Sequence, residues 1–351
     1  MTQETTPPPL SYRDAGVDVQ AADHFVERIA GLARSTHEGV DVVNKTAYAG
    51  LVRPDLTGMD SPLIAATCDG VGTKLLVAKE ANHFHGLGQD LVAMNVNDLL
   101  PAAAKPLLFL DYLACGKLNP EQLEVIVASV AGACRESGCA LVGGETAEMP
   151  GVYAEDEFDL AGFAVGIVDQ GRVPDPSTMA AGDVVLGLPS TGVHSNGLSL
   201  ARKALFDRAA LTVDSTVEGL EQPLGRALLE PTALYVAPMM AFLAKFSMRA
   251  AAHITGGGLL GRGEKLVVDG LGMRIDPSTY QRPAIFDAIQ RAGEISDQEM
   301  ASTFNMGLGF VVVVSPEVAA QALETLGSPW LKVGTITDDF LGVDLGYARS
   351  E

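Results

Sequence analysis

Residues 61–74 read SPLIAATCDGVGTK, and the fold turns on how this stretch divides. Residues 62–68 form a short, apolar, β-leaning run. It ends on an acid, Asp69, and passes into a glycine-bearing turn. The turn has the look of a phosphate loop but not its order. A Walker loop needs G-x-x-x-x-G-K-[ST] with lysine and hydroxyl at a helix entry. Here the lysine follows Thr73, and Gly70 lies only two residues before Gly72. The chemistry therefore rests on Asp69, a candidate metal ligand, and Lys74, a candidate phosphate partner. A plain β-turn accounts for Gly70 and Gly72 by themselves.

Working outward, KPLLFLDYLACG (105–116) is a second apolar run that reads as a buried strand like the first. NPEQLEVIVASVAGACRESG (119–138) opens with Asn119 as N-cap and Pro120 at the first helical position, and closes on Gly138. Leu123, Ile126, Val127, Val130 and Cys134 recur at helical spacing, so one face packs inward. CALVGGE (139–145) then reads as a strand with Glu145 at its end. A Pro-, Gly- and Asp-rich stretch, VDQGRVPDPSTMAAGD (168–183), marks a boundary near residue 172. Beyond it, residues 183–210 read as strand, polar loop and helix, and residues 306–327 as strand and helix. These alternations predict a two-domain α/β (α+β) protein: an N-terminal domain over 1–172, with a mobile polar arm over 1–20, and a C-terminal α/β sandwich over 173–351.

Composition narrows the function. Forty-four acidic side chains against 24 basic ones give a formal charge of −20, which repels a nucleic-acid backbone. MTQETTPPPL lacks a basic and apolar leader, and no run of 18 apolar residues follows, so the expected setting is the cytoplasm, with no membrane partner. Cys68, Cys115, Cys134 and Cys139 include no CxxC pair and read as reduced structural thiols.

Acids stand at strand ends or beside glycine: Asp69, Asp90 in GLGQD, Asp98 in NVND, and Glu145 in GGET. Any one of them reads equally as a cap or loop acid. As a set they suit magnesium, which joins one or two carboxylates to substrate phosphates. Two further loops have the composition of anion sites or of ordinary turns. In STGVHSNGLSLARKAL (190–205), Ser195 or Asn196 is placed to cap the following helix, and His194 is able to move protons near neutral pH. In AHITGGGLLG (252–261), three successive glycines allow close backbone approach.

SYRDAGVD, DGVGTK, GQDLVAMNVNDLL, PLLFLDY, VGGETAEMPGVY, HSNGLSLARKAL, HITGGG and TFNMGLGF follow one another in this order. In that order they resemble the phosphoribosylformylglycinamidine cyclo-ligase (aminoimidazole ribonucleotide synthetase) family over most of the chain. The resemblance implies ATP-dependent closure of formylglycinamidine ribonucleotide to aminoimidazole ribonucleotide through an iminophosphate. It also implies a homodimer in which N-terminal sheets meet in a barrel-like interface. By the same resemblance, Asp69, Asp98 and Glu145 hold magnesium and ATP, supported by Gly70, Gly72, Thr73, Asp90, Asn97 and Thr146, while Lys74 meets phosphate. His194 with Ser195 and Asn196 faces the substrate; His253, Thr255, Gly256, Gly257 and Gly258 line a phosphate-handling wall. Selenophosphate synthetase and thiamine-monophosphate kinase share the architecture but carry an acid where this chain has His253. A non-catalytic nucleotide-binding homologue is the remaining alternative, and a scaffold has no use for this charge set.

The chain departs from the family pattern twice. DVVNKTAYAGLVRPD (41–55) retains Gly50 alone in a segment that is usually glycine-rich. LGRGEKLV (260–267) replaces a segment that usually reads ENxPR, leaving Arg262 and Lys265 as its cations.

Overall fold

A computed structural model describes residues 10–16, 19–43 and 48–346. Most of the expected arm, and the first half of the NKTAYAGL segment (44–51), residues 44–47, lie outside the described residues. After α1 (Val19–Arg34), a small hairpin pairs β1 (Asp41–Val42) with β2 (Val52–Arg53). The N-terminal sheet comprises β3 (Pro62–Gly70), β4 (Lys105–Cys115), β5 (Ala140–Glu148) and β6 (Phe158–Asp169), in the order β3-β6-β4-β5. β6 runs antiparallel to β3 and β4. β4 and β5 are parallel, and the crossover that parallel neighbours require is α4 (Pro120–Glu136). Asn119 caps that helix, its side chain accepting from the Gln122 N–H at 3.2 Å. Gly138 takes the left-handed turn that ends it, at φ +63°. The five apolar residues read at helical spacing are all buried.

The strand over 62–70 forms as expected, but it is not buried on both faces. Thr67 turns toward α3 (Leu87–Leu99), its hydroxyl donating to the Asn95 carbonyl at 3.0 Å. Ile64, on the opposite face by strand alternation, is 80% exposed. Phe163 of β6, paired with Cys68 on that same face, is 41% exposed. Helices cover one side of this sheet only; the apolar run is apolar for two different surfaces.

The C-terminal sheet is six-stranded, ordered β12-β9-β11-β7-β10-β8. Its strands are β7 (Val184–Pro189), β8 (Ala250–His253), β9 (Gly272–Ile275), β10 (Leu308–Val314), β11 (Leu331–Thr337) and β12 (Gly342–Asp344). All neighbours are antiparallel except β12 and β9. Every residue of β10 is buried, which explains its unbroken run of valines. Ser315 then caps α11 (Pro316–Leu326), as strand-to-helix reading of that stretch implies. The helices between are α5 (Leu198–Arg202), continued by a wider π turn over Lys203–Arg208, α6 (Leu224–Leu228), α7 (Val236–Leu243), α8 (Gly258–Leu266), α9 (Ala284–Gly293) and α10 (Asp297–Thr303). The protein is thus a mixed α/β chain built on two sheets, residues 62–169 supplying one and 184–344 the other. No helix among the described residues is long and apolar enough to cross a membrane.

Candidate active site

The turn after β3 does deliver Lys74 to the first residue of α2 (Lys74–Glu80), but it points the side chain inward. Its ammonium is fully buried and donates to Asp90 Oδ1 at 2.8 Å and to the Glu230 carbonyl at 2.7 Å. The same Asp90 oxygen accepts from the Thr232 N–H at 2.8 Å and the Thr232 hydroxyl at 2.6 Å. Ser195 Oγ adds a longer contact at 3.3 Å. Lys74, expected to meet phosphate, is in this structure one half of a sealed pair. Asp90, expected beside a metal, is the other half of it. Burial pushes the Lys74 ammonium pKa down and Asp90 pushes it back up. Residues 230–232 and 195 belong to the C-terminal half, so the pair fastens the two halves to each other.

Asp69 stands beside the meeting point of the two halves. It lies at the end of β3 on the helix-covered face, two residues after Thr67. Its Oδ1 accepts from the Gly70 N–H at 2.7 Å. Burial raises its pKa, and the nearby Asp98 carboxylate raises it further; the Gly70 amide, His253 and Arg262 pull the other way. Asp98, near the end of α3, reaches across to β8, where His253 Nδ1 sits 2.7 Å from its Oδ1. Asn97 holds the same junction from within: its amide donates to the Ala233 carbonyl at 2.9 Å, and its oxygen accepts from the Tyr235 N–H at 2.9 Å. Asp69, Asp98 and His253 thus converge where the two sheets' domains meet. Beside them is a 250 Å³ cleft whose lining includes Asp98, His253, Arg262 and Lys265.

His194 is buried nearby with φ at +64°, a backbone region that non-glycine residues seldom occupy. Its Nε2 accepts from the N–H groups of Thr191 and Ala233 at 3.2 and 3.4 Å, while Nδ1 has no partner. Burial first, then His253 and Lys74, keep its pKa well below the ordinary imidazole value. A neutral ring that accepts at Nε2 carries its proton on Nδ1, so it is a hydrogen-bond donor there. Ser195 and Asn196 do not cap α5, contrary to expectation. The cap position is Gly197 at φ +86°, because Ser195 is turned toward Asp90 and Thr232. On the facing loop, Thr255 is buried and Gly256 has open space around its α-carbon. Gly257 and Gly258 adopt φ of +94° and +62° at the start of α8. A β-carbon on Gly258 would lie 2.2 Å from the Ala301 carbonyl, so the glycine is required there.

Glu145 does not join Asp69 within this chain. Cross-strand register aligns Asp69, Gly162, Asp111 and Gly144 in one row. Asp69 and Gly144 thus sit on opposite edge strands, three spacings or about 14 Å apart. Glu145, one residue beyond that row, points to the uncovered face and is exposed, and Thr146 shares its edge strand. Among the described residues, no three His, Cys, Asp or Glu side chains are grouped to hold a metal ion.

With this geometry in view, comparison with known proteins is decisive. Residues 48–168 match the family described as AIR synthase related protein, N-terminal domain, and residues 180–344 match its C-terminal domain. The chain belongs to the AIR synthase related family. Phosphoribosylformylglycinamidine cyclo-ligases are among its curated relatives. The one from Sorangium cellulosum is 47% identical over 90% of this chain and 91% of its own. That from Anaeromyxobacter dehalogenans is 48% identical over 93% and 94%. Among solved structures, thiamine-monophosphate kinase from Stenotrophomonas maltophilia superposes with a TM-score of 0.66 at 19% identity, covering 92% of this chain and 95% of that one. The hydrogenase maturation protein HypE in complex with ATP gives 0.62 at 17%, covering 90% and 86%. At such identities these two structures speak for the fold of the family alone.

Several residues that build this AIR-synthase-family site carry no chemical signature of their own, although one of them, Asn305, falls inside a family motif. Thr232 and Tyr235 organise Asp90 and Asn97, and Tyr235 donates to the Pro189 carbonyl at 2.8 Å. Asn305, within TFNMGLGF, accepts from the Ser190 hydroxyl at 2.8 Å and donates to the Gly192 carbonyl at 2.9 Å, fixing the loop that carries His194. The only local signal is a polar residue set among apolar neighbours.

Proposed function

We propose that this chain closes the imidazole ring of aminoimidazole ribonucleotide from formylglycinamidine ribonucleotide at the expense of ATP, as a cyclo-ligase of purine synthesis. What carries the reading is the meeting of Asp69, Asp98 and His253 at the inter-domain cleft of a chain 47–48% identical to named cyclo-ligases. The γ-phosphoryl group passes to the formyl amide oxygen; the bond to the β-phosphate breaks and ADP departs. The amidine nitrogen then attacks the activated carbon, its proton is removed, and the carbon–oxygen bond breaks to release phosphate. The protein's part in both steps is positioning and charge neutralisation.

Magnesium fits the donors present. Two hard carboxylates, Asp69 and Asp98, lie close enough to raise the Asp69 pKa by repulsion, a strain that a divalent cation relieves. When bound, the ion neutralises charge on the transferred phosphoryl group. Two carboxylates suffice for an ion that takes its other ligands from phosphate and water. His253, which lines the cleft, is the histidine assigned to the ring-closure proton: with Nδ1–H given to Asp98, its Nε2 is an acceptor, 3.5 Å from the Asn97 amide nitrogen. His194, whose unpartnered Nδ1 carries the ring proton, suits an oxygen that gains negative charge.

The active assembly is a homodimer. Its support is the uncovered face of the N-terminal sheet, where Ala66 and Cys68 align with Val165 and Phe163 and Ile64 is 80% exposed. A second copy supplies the matching apolar surface.

Formylglycinamidine ribonucleotide with Mg-ATP is expected to give ADP and aminoimidazole ribonucleotide in equal amounts. ADP without ring product would sink the assignment. Asp69→Asn is expected to lower turnover by about 100-fold or more, roughly 2.7 kcal/mol of transition-state stabilisation. A folded variant with unchanged turnover removes Asp69 from the site.

A further inference from the structure

Two cations on α8 are left unexplained by the reading above. Arg262 and Lys265 are three residues apart on one helical face, and both line the 250 Å³ cleft with Asp98 and His253. Neither forms an ion pair or hydrogen bond with a described residue at the distances that define one, and the Arg262 Nε is a buried donor without an acceptor. Buried donors are nearly always satisfied, so this guanidinium lines the cleft with hydrogen-bonding capacity unspent on the protein. The chain's charge sharpens the point: with 44 acids against 24 bases, two unpaired cations facing one cleft are not background. Lys265 is exposed and able to swing over the opening; Arg262 is half-buried and held by the helix. A planar guanidinium beside a mobile ammonium is a combination suited to the oxygens of a phosphate group.

We propose that Arg262 and Lys265 form a phosphate-binding subsite of the cleft, taking the phosphoryl oxygens of a bound substrate. This rests on the cyclo-ligase reading for the identity of that substrate, which has two phosphate-bearing candidates: the ribose phosphate of the ribonucleotide and the polyphosphate of ATP. The subsite explains the chain's departure at LGRGEKLV, where cations stand on a helix that begins at the TGGG turn. Lys74, by contrast, is fully buried against Asp90, whereas Arg262 and Lys265 line the cleft.

The test uses the full chain and the variants Arg262→Gln, Arg262→Lys and Lys265→Gln, each checked for unchanged thermal unfolding. Steady-state kinetics are expected to show a KM raised tenfold or more in Arg262→Gln, with kcat within about twofold and partial recovery in Arg262→Lys. If the ribonucleotide KM rises, the subsite holds the ribose phosphate; if the ATP KM rises, it holds polyphosphate. Titration calorimetry with ribose 5-phosphate and, separately, with Mg-ATP gives a readout independent of turnover. Loss of binding of either probe in Arg262→Gln supports the subsite even if no ring product forms. Unchanged KM values and unchanged binding of both probes overturn it, whether or not the chain proves to be a cyclo-ligase.

Discussion

Asp111 shows how one buried group can set a pH dependence. It lies on the helix-covered face of β4, where burial pushes its carboxyl up to about 7. Gly144 opposite must lack a side chain, because a β-carbon there would fall 1.9 Å from Asp111 Oδ1. The unfolded chain releases this proton near pH 3.9, whereas the folded protein keeps it until about 7. Folding therefore binds a proton between those values, and stability falls as pH rises through that window before levelling off above it. Asp111→Asn, which matches the protonated acid in shape, is expected to be near neutral below pH 4 and stabilising at pH 8. The upper bound is about 4 kcal/mol, at 1.36 kcal/mol per pKa unit. Thermal unfolding across pH 4–8 checks this; a melting difference that does not grow with pH speaks against a protonated Asp111.

At the scale of elements, the sealed Lys74–Asp90 pair ties α2 and α3 to the segment 230–232 that precedes α7. Removing one partner strands the other charge in a place with no water. Such losses cost about 3–5 kcal/mol. Lys74→Met is accordingly expected to lower the denaturant midpoint sharply, while Lys74→Met with Asp90→Leu recovers part of the loss. A single variant as stable as the parent would refute the latch. Element identity was legible beforehand because its signals are local: α4 announced itself through Asn119, Pro120 and its apolar spacing, and β10 through its valines. The cap of α5 was misread for a non-local reason, since Ser195 is claimed by Asp90, 105 residues away.

For the whole molecule, the open face of the N-terminal sheet is the largest consequence of the fold for assembly. Ile64→Lys places a charge on that open face and is expected to shift the protein from dimer to monomer in sedimentation. Ala66→Lys, its neighbour on the same face, is expected to do likewise. A dimer that survives both substitutions assembles through some other surface.

The sequence by itself determined the α/β class, several strands and helices such as β3, β4, α4 and β10, and the family, because periodicity, caps and ordered motifs are properties of neighbouring residues. It also marked Asp69 and Asp98 among four acids in glycine-rich or polar settings, and His253 through the family's ordered motifs. Only the tertiary structure decided which of the marked residues meet. It buried Lys74 against Asp90, set Asp98 on His253, and sent Glu145 to the opposite face and edge of its sheet. The reason is physical: a residue's type says what it can bind, but burial and distance across 100 or more residues fix what it does bind, and neither is written in any local stretch.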